Sequence, residues 1–320
     1  MPVFSIRSRP SAPVVARTTL IASVLAVATL VTACGGGDDP APTSPTAAAT
    51  KETTVPISAV TTAVVDAGAE PRQKVTYHPR TDADQRSRLV TGSTVYQQID
   101  GQPQQDFSTP ELTTSMTARV PGGSPDPAIT VDLTLDEFST PDARLTDALT
   151  ASNGSKAGLT VQPSGAITAL RITPAPDSRD IARSAIEQAF YQAVYRTVAF
   201  PDAEIGVGAV WTVQQQVMSG IALNQTTTVT LRERDGDRLT VDVAVNQTPN
   251  SDVWELPGEA GTLDVVTYTM AGTGTLVLDL GAALPVDGAV TVGGEQTYSD
   301  PNGTTRLRQS TSSVVKWATP

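Results

Sequence analysis

The chain has one cysteine, one histidine and an aromatic content of only 4%. A single Cys leaves no intramolecular disulfide to hold the fold. With only one His beside it, a zinc or copper centre of the usual ligands is excluded, and no cofactor motif takes its place. A Ser-His-Asp hydrolase would have to use His78, in Tyr77-His78-Pro79, and no Gly-x-Ser-x-Gly elbow accompanies it. His78 is therefore expected on the surface or on an edge strand. Basic residues are scarce, 22 against 33 acidic, which disfavours nucleic acid as a partner. A long hydrophobic run is missing too. The most apolar stretch, Leu20 to Val31, spans twelve residues, whereas a membrane-crossing helix needs about 20.

That short run belongs to a different device. Arg7, Arg9 and Arg17 precede it, and Leu30-Val31-Thr32-Ala33-Cys34 closes it with small residues before a Cys. The layout is that of a cleavable secretory signal over residues 1–33. Its end resembles the lipobox of bacterial lipoproteins. The resemblance implies that the Cys34 thiol receives diacylglycerol and that the chain is cut before it. The protein is then held by its N-terminal lipid at the cell membrane, facing the outside of the cytoplasm. A lone thiol is a liability in an oxidising compartment, and acylation removes it. Arg7-Ser8-Arg9 is not a twin-arginine pair, which points to general secretion. Loss of residues 1–33 removes three Arg and no acid, leaving 19 basic against 33 acidic residues and a net charge of −14. The lipid, and not a basic patch, must hold such a chain on a bilayer, and any apolar ligand is expected to be neutral or cationic.

Residues 34–70 read as a disordered tether, rich in Pro, Ala and Thr around Pro40, Pro42 and Pro45. Residues 71–320 read as a single antiparallel β domain. Val131, Leu133 and Leu135 alternate with polar neighbours, as do Leu239, Val241, Val243 and Val245, and Leu276, Leu278 and Leu280. Turn signals separate such runs at Asp100-Gly101, Pro163-Ser164-Gly165, Asp235-Gly236-Asp237 and Asp300-Pro301-Asn302-Gly303. One long helix is predicted over 178–198, with Asp177 as N-cap and Pro201 as its stop. Ile181, Ala185, Ala189 and Ala193 recur every fourth residue, and Ile186, Phe190, Val194 and Val198 widen the stripe. A shorter helix is predicted to start at Pro141 with Thr140 as cap. The expected fold is mainly β (α+β): a large antiparallel, curved sheet packed on the long helix, half-barrel-like or a sandwich.

Several patterns that suggest chemistry fail on their context. Ser313-Val314-Val315-Lys316 matches Ser-x-x-Lys, but it lies in a strand-like run where positions three apart face opposite ways. Gly206-Val207-Gly208 follows a helix and opens a strand, the reverse of a dinucleotide-binding loop. Asp132 and Asp136 on one strand lie about 13 Å apart, too far for a glycosidase pair. Asp235 and Asp237 are accounted for by a hairpin turn.

The distinctive segment is Phe200-Pro201-Asp202-Ala203-Glu204-Ile205-Gly206-Val207-Gly208-Ala209-Val210-Trp211. Its Pro-x-x-x-Ile-Gly-x-Gly-Ala-x-Trp pattern resembles one in a family of bacterial envelope lipoproteins built on a domain of unknown function, and the likeness extends loosely over residues 72 to 317. The resemblance implies a fold and a location, and no activity. The expectation is a non-enzymatic, membrane-anchored envelope lipoprotein with a structural or partner-binding role, its envelope partner unspecified. The alternative is a carrier of lipid or another apolar ligand held between helix and curved sheet. Ile181, Ile186, Phe190, Val194 and Trp211 are then the candidate cleft lining, with Trp211 also fitting a purely structural role.

Overall fold

The computed structural model describes residues 52–81, 83–122, 127–256 and 261–320. In chain order the strands begin with β1 (Thr53–Pro56), β2 (Thr61–Asp66), β3 (Asp84–Ile99), β4 (Gln105–Asp106), β5 (Thr109–Arg119) and β6 (Ile129–Ser139). Helix α1 (Ala143–Thr150), β7 (Lys156–Val161), β8 (Ile167–Thr173) and helix α2 (Asp180–Val194) follow. The rest is strand: β9 (Val210–Ser219), β10 (Ile221–Asp235), β11 (Arg238–Pro249), β12 (Val253–Glu255), β13 (Thr262–Asp279), β14 (Asp287–Ser299) and β15 (Arg306–Ala318). All fifteen strands join one open antiparallel sheet, ordered β1-β8-β7-β6-β5-β3-β15-β14-β13-β11-β10-β9-β2, with β12 on β13 and β4 on β3 as side pairs.

The mainly β, antiparallel expectation holds, and the period-two reading accounts for it. Val131, Leu133 and Leu135 of β6 are buried, as are Leu239, Val241, Val243 and Val245 of β11. The sheet is also drawn round on itself. Laid flat, thirteen strands along that path would hold the outer edges nearly 60 Å apart. Yet β1 and β2 are the two edges, and the link between Pro56 and Thr61 reaches at most roughly 18 Å. That link is tied to both sides: Ile57 N–H donates to the Thr168 carbonyl (2.9 Å) beside β1, and Gln215 Nε2 on β9 donates to the Ser58 carbonyl (2.9 Å). Glycines permit the bend. A Cβ on Gly272 would run into Thr291 and Val292, and one on Gly294 into the Thr269 carbonyl, so β13 and β14 approach more closely than side chains there would allow.

The tether expectation fails over its described part. β1 and β2 lie inside residues 34–70, and they form the sheet's edges because Val55, Ile57, Val60 and Val64 reach the core. A Pro/Thr-rich composition hid four apolar anchors at strand spacing. Pro56, which has no N–H to donate, suits an edge strand. The signal segment, Cys34 and the tether up to residue 51 lie outside the described residues.

The helices differ from expectation in length and in their caps. α2 spans fifteen residues, beginning at Asp180 and not 178, and its cap position, Arg179, makes no side-chain bond. Asp180, in the first turn, supplies the negative charge that the helix start favours. α2 ends at Val194 and not 198, because the Tyr195 carbonyl is taken by Gln225 Nε2 (3.0 Å) and Phe200 N–H by the Ser164 carbonyl (2.7 Å). These bonds pull the chain out of the helix and press Val198, Ala199 and Phe200 into the core. α1 is capped by Asp142, whose carboxylate accepts from Arg144 N–H (2.9 Å), and not by Thr140. Among the described residues no helix is long and apolar enough to cross a membrane.

Candidate ligand groove

Two spaces lie along α2. The smaller is about 70 Å³ and is walled by Leu133, Leu159, Phe190, Val194, Leu280 and Trp317. That is well below the volume of small-molecule sites, so the inner face of α2 packs against the sheet around a small void. The larger is a groove of about 420 Å³ between α2, α1 and the β3–β5 pair. Leu112, Pro110, Leu145, Leu149 and Ala189 give it an apolar lining, while Ser184, Gln188 and Gln192 of α2 and Thr91 of β3 add polar groups. A volume of this size falls within the range of small-molecule sites.

Local sequence explains why a groove opens here. Pairing between β3 and β5 slips between Thr91 and Ser93, at Gly92, which contributes no side chain to fill the space. On α2, Ala185 and Ala189 are too short to reach across. Asp142 and Arg144 stand at the rim, joined by a 2.9 Å ion pair. The hydrogen bond from Arg144 holds the Asp142 carboxyl below its usual range. Gln192 Oε1 is buried without a hydrogen-bond partner.

The five candidate lining residues separate. Only Ile181 lines the groove, at its mouth and 58% exposed. It misses the core because a four-residue step advances about 40° beyond a full turn, so by Ala193 the stripe has rotated about 120° away from it. Phe190 and Val194 line the small cavity, while Ile186 and Trp211 are buried and line neither space. Trp211 is a structural residue: its Nε1–H donates to the Ala199 carbonyl (2.9 Å) and its ring leans on Phe200 at 6.1 Å. The Gly-x-Gly segment before it is a close-packed turn. Ala69 N–H donates to the Val207 carbonyl (2.9 Å), and a Cβ on Gly206 would collide with the Ala69 carbonyl.

Strand register brings together a feature that no local motif carries. Gln97, Gln309 and Gln296 stand side by side on β3, β15 and β14, and Gln247, Gln225 and Gln215 do so on β11, β10 and β9. They form an inward polar belt. It separates the main core from a second apolar cluster of Ile221, Leu223, Trp254, Leu256, Leu263, Tyr298 and Leu307. Gln247 Nε2 donates to Gln225 Oε1 (2.8 Å), and so does Arg196 Nη1 (2.7 Å). Gln97 Nε2 and Gln296 Oε1 are buried and unpartnered. Burial lowers the Arg196 guanidinium to about 10, which still leaves it protonated at neutral pH.

Among the described residues the remaining titratable groups do not assemble. His78 Nε2 meets Asp237 Oδ2 at 3.2 Å while its Nδ1 lies 2.7 Å from the Thr76 carbonyl, and these contacts, led by the Thr76 carbonyl, raise its pKa. Asp132 pairs with Arg171 and Asp136 accepts from Thr117, each on its own. Among the described residues no group of three or more His, Cys, Asp or Glu is placed to hold a metal. No family model matches the chain, and no curated protein or solved structure is significantly similar to it.

Proposed function

We propose that this protein is a membrane-anchored envelope lipoprotein, held by Cys34, that binds a small and mostly apolar molecule in the groove between α1, α2 and β3–β5. The groove of about 420 Å³ carries this reading. It favours the carrier alternative over a purely structural role, with the ligand on this reading lying on a different face of α2 than the apolar stripe suggested. The rolled sheet around α2 supports a half-barrel-like layout. We read the protein as non-enzymatic, because the charged pair at the groove, Asp142 and Arg144, is spent on itself.

The point where the chain enters the fold fits this role. Thr53 pairs with Ile172, and Thr173 Oγ1 donates to Glu52 at 3.3 Å, at the end of the sheet where Ser178, just before α2, meets Ser152, just after α1 (3.0 Å). A chain from Cys34 to Glu52 extends at most about 65 Å, so an anchor at Cys34 keeps that end within reach of the bilayer.

Two expected results test the reading. Metabolic labelling with a fatty-acid probe should mark the wild type and fail in Cys34→Ser; equal labelling of both would refute the anchor. An apolar fluorescent dye should bind the chain from residue 35 onward, which keeps every described residue, at one saturable site. Ala185→Trp, which fills the groove, should weaken that binding about tenfold or more, a loss of at least about 1.4 kcal/mol, without lowering the unfolding midpoint. Undiminished dye binding in Ala185→Trp would show that the dye sits elsewhere.

A further inference from the structure

Within the reading of the groove as a ligand site, its lining indicates which kind of head group the ligand carries. Among the described residues that line it, only Asp142 and Arg144 bear charge, and they close on each other. Arg144 Nε donates to Asp142 Oδ1 (3.1 Å) and Arg144 Nη2 to Asp142 Oδ2 (2.9 Å), a two-point pair. The same carboxylate caps α1 by accepting from Arg144 N–H (2.9 Å). An anionic head would have to displace that fixed carboxylate, and a cationic head would have to displace the guanidinium. Either exchange strands a charge, and taking a charge out of water without a partner is costly. Net charge alone leaves neutral and cationic ligands open; the closed rim pair removes the cation.

A bare hydrocarbon fits no better. Ser184, Gln188 and Gln192 of α2 and Thr91 of β3 bring neutral hydrogen-bonding groups to the lining, and Gln188 and Gln192 stand one turn apart, about 6 Å along the helix. A ligand that covers such groups without bonding them takes away their water and returns nothing. The apolar share of the lining, led by Pro110, Leu112, Leu145 and Leu149, is aliphatic. Among the described lining residues no aromatic ring offers a face on which a planar ring could stack.

We propose that the groove takes an uncharged aliphatic amphiphile with a hydroxylated head, of the acylglycerol kind, its alkyl part against Leu112, Leu145 and Leu149 and its head bonded to Gln188 and Gln192. A glutamine amide both donates and accepts, as a hydroxyl does, so the two match without any charge. Selection then works in both directions: the spent rim pair rejects ions, and the neutral polar groups reject plain hydrocarbon.

The test measures displacement of an apolar dye from the chain beginning at residue 35 by four probes of one chain length, each below its micellar concentration: monolauroylglycerol, methyl laurate, laurate and dodecyltrimethylammonium. Monolauroylglycerol is expected to bind about tenfold or more tightly than each of the other three. Gln188 is exposed, so Gln188→Leu should fold normally; it and Gln192→Leu are each expected to shrink the preference over methyl laurate while the discrimination against the two ions persists. Laurate, dodecyltrimethylammonium or methyl laurate binding as tightly as monolauroylglycerol would overturn the head-group assignment and leave the groove reading intact. So would an undiminished preference over methyl laurate in both Leu variants. Failure of the dye and of every probe to bind the wild type would overturn the groove reading and this proposal with it.

Discussion

Trp211→Ala is expected to destabilise the fold by about 3–5 kcal/mol, the range for deleting a fully buried large aromatic. Trp211 is 0% exposed, and three interactions converge on it. Its ring packs in the main core, it leans on Phe200, and its Nε1–H satisfies the Ala199 carbonyl. Removal opens a cavity and also leaves that carbonyl, in a buried stretch after α2, without its donor. Trp211→Phe separates the two effects. It keeps most of the ring and should cost mainly the unpaired carbonyl, about 1–3 kcal/mol. Urea midpoints with unchanged slopes would give both numbers. A Trp211→Ala loss under 1 kcal/mol would mean that the junction of α2 and the sheet is not packed as described.

The second large effect is on α2 itself. Phe190 is 2% exposed and borders the small cavity of about 70 Å³. Phe190→Ala should also cost about 3–5 kcal/mol, since truncation enlarges an existing void against a rigid sheet. Arg183→Ala, at a more exposed position of the same helix, should change stability by no more than about 0.5 kcal/mol. Arg183 meets Glu187 at 3.5 Å with its side chain 42% exposed, and ion pairs in that setting contribute little. Equal denaturant midpoints for the two variants would contradict the docking face assigned to α2.

What was legible in the sequence was the part governed by local periodicity. Alternation in β6 and β11 located the strands and their buried faces, and the four Gly- or Asp-bearing turns fell between strands. The small space around Phe190 and Val194 also lay on the predicted stripe. The groove was not legible, because its α2 wall of Ser184, Gln188 and Gln192 reads as an ordinary solvated face until α1 and β3–β5 are set opposite it. Nor was the glutamine belt, which depends on strand register: Gln97, Gln309 and Gln296 come from opposite ends of the chain and meet only through the pairing of β3, β15 and β14. β1 and β2 were missed for a related reason. Short edge strands gain their order from neighbours in the sheet, and composition alone does not record those neighbours.

The most direct test of the ligand-binding reading is a native mass spectrum of the protein purified from its native host, set beside that of Ala185→Trp. The account predicts a wild-type population carrying one small molecule in excess of the ligand-free mass, released on denaturation. That population should be absent or much reduced in Ala185→Trp at an unchanged unfolding midpoint. A wild-type spectrum containing only the ligand-free mass, together with no saturable binding of apolar dye, would contradict it.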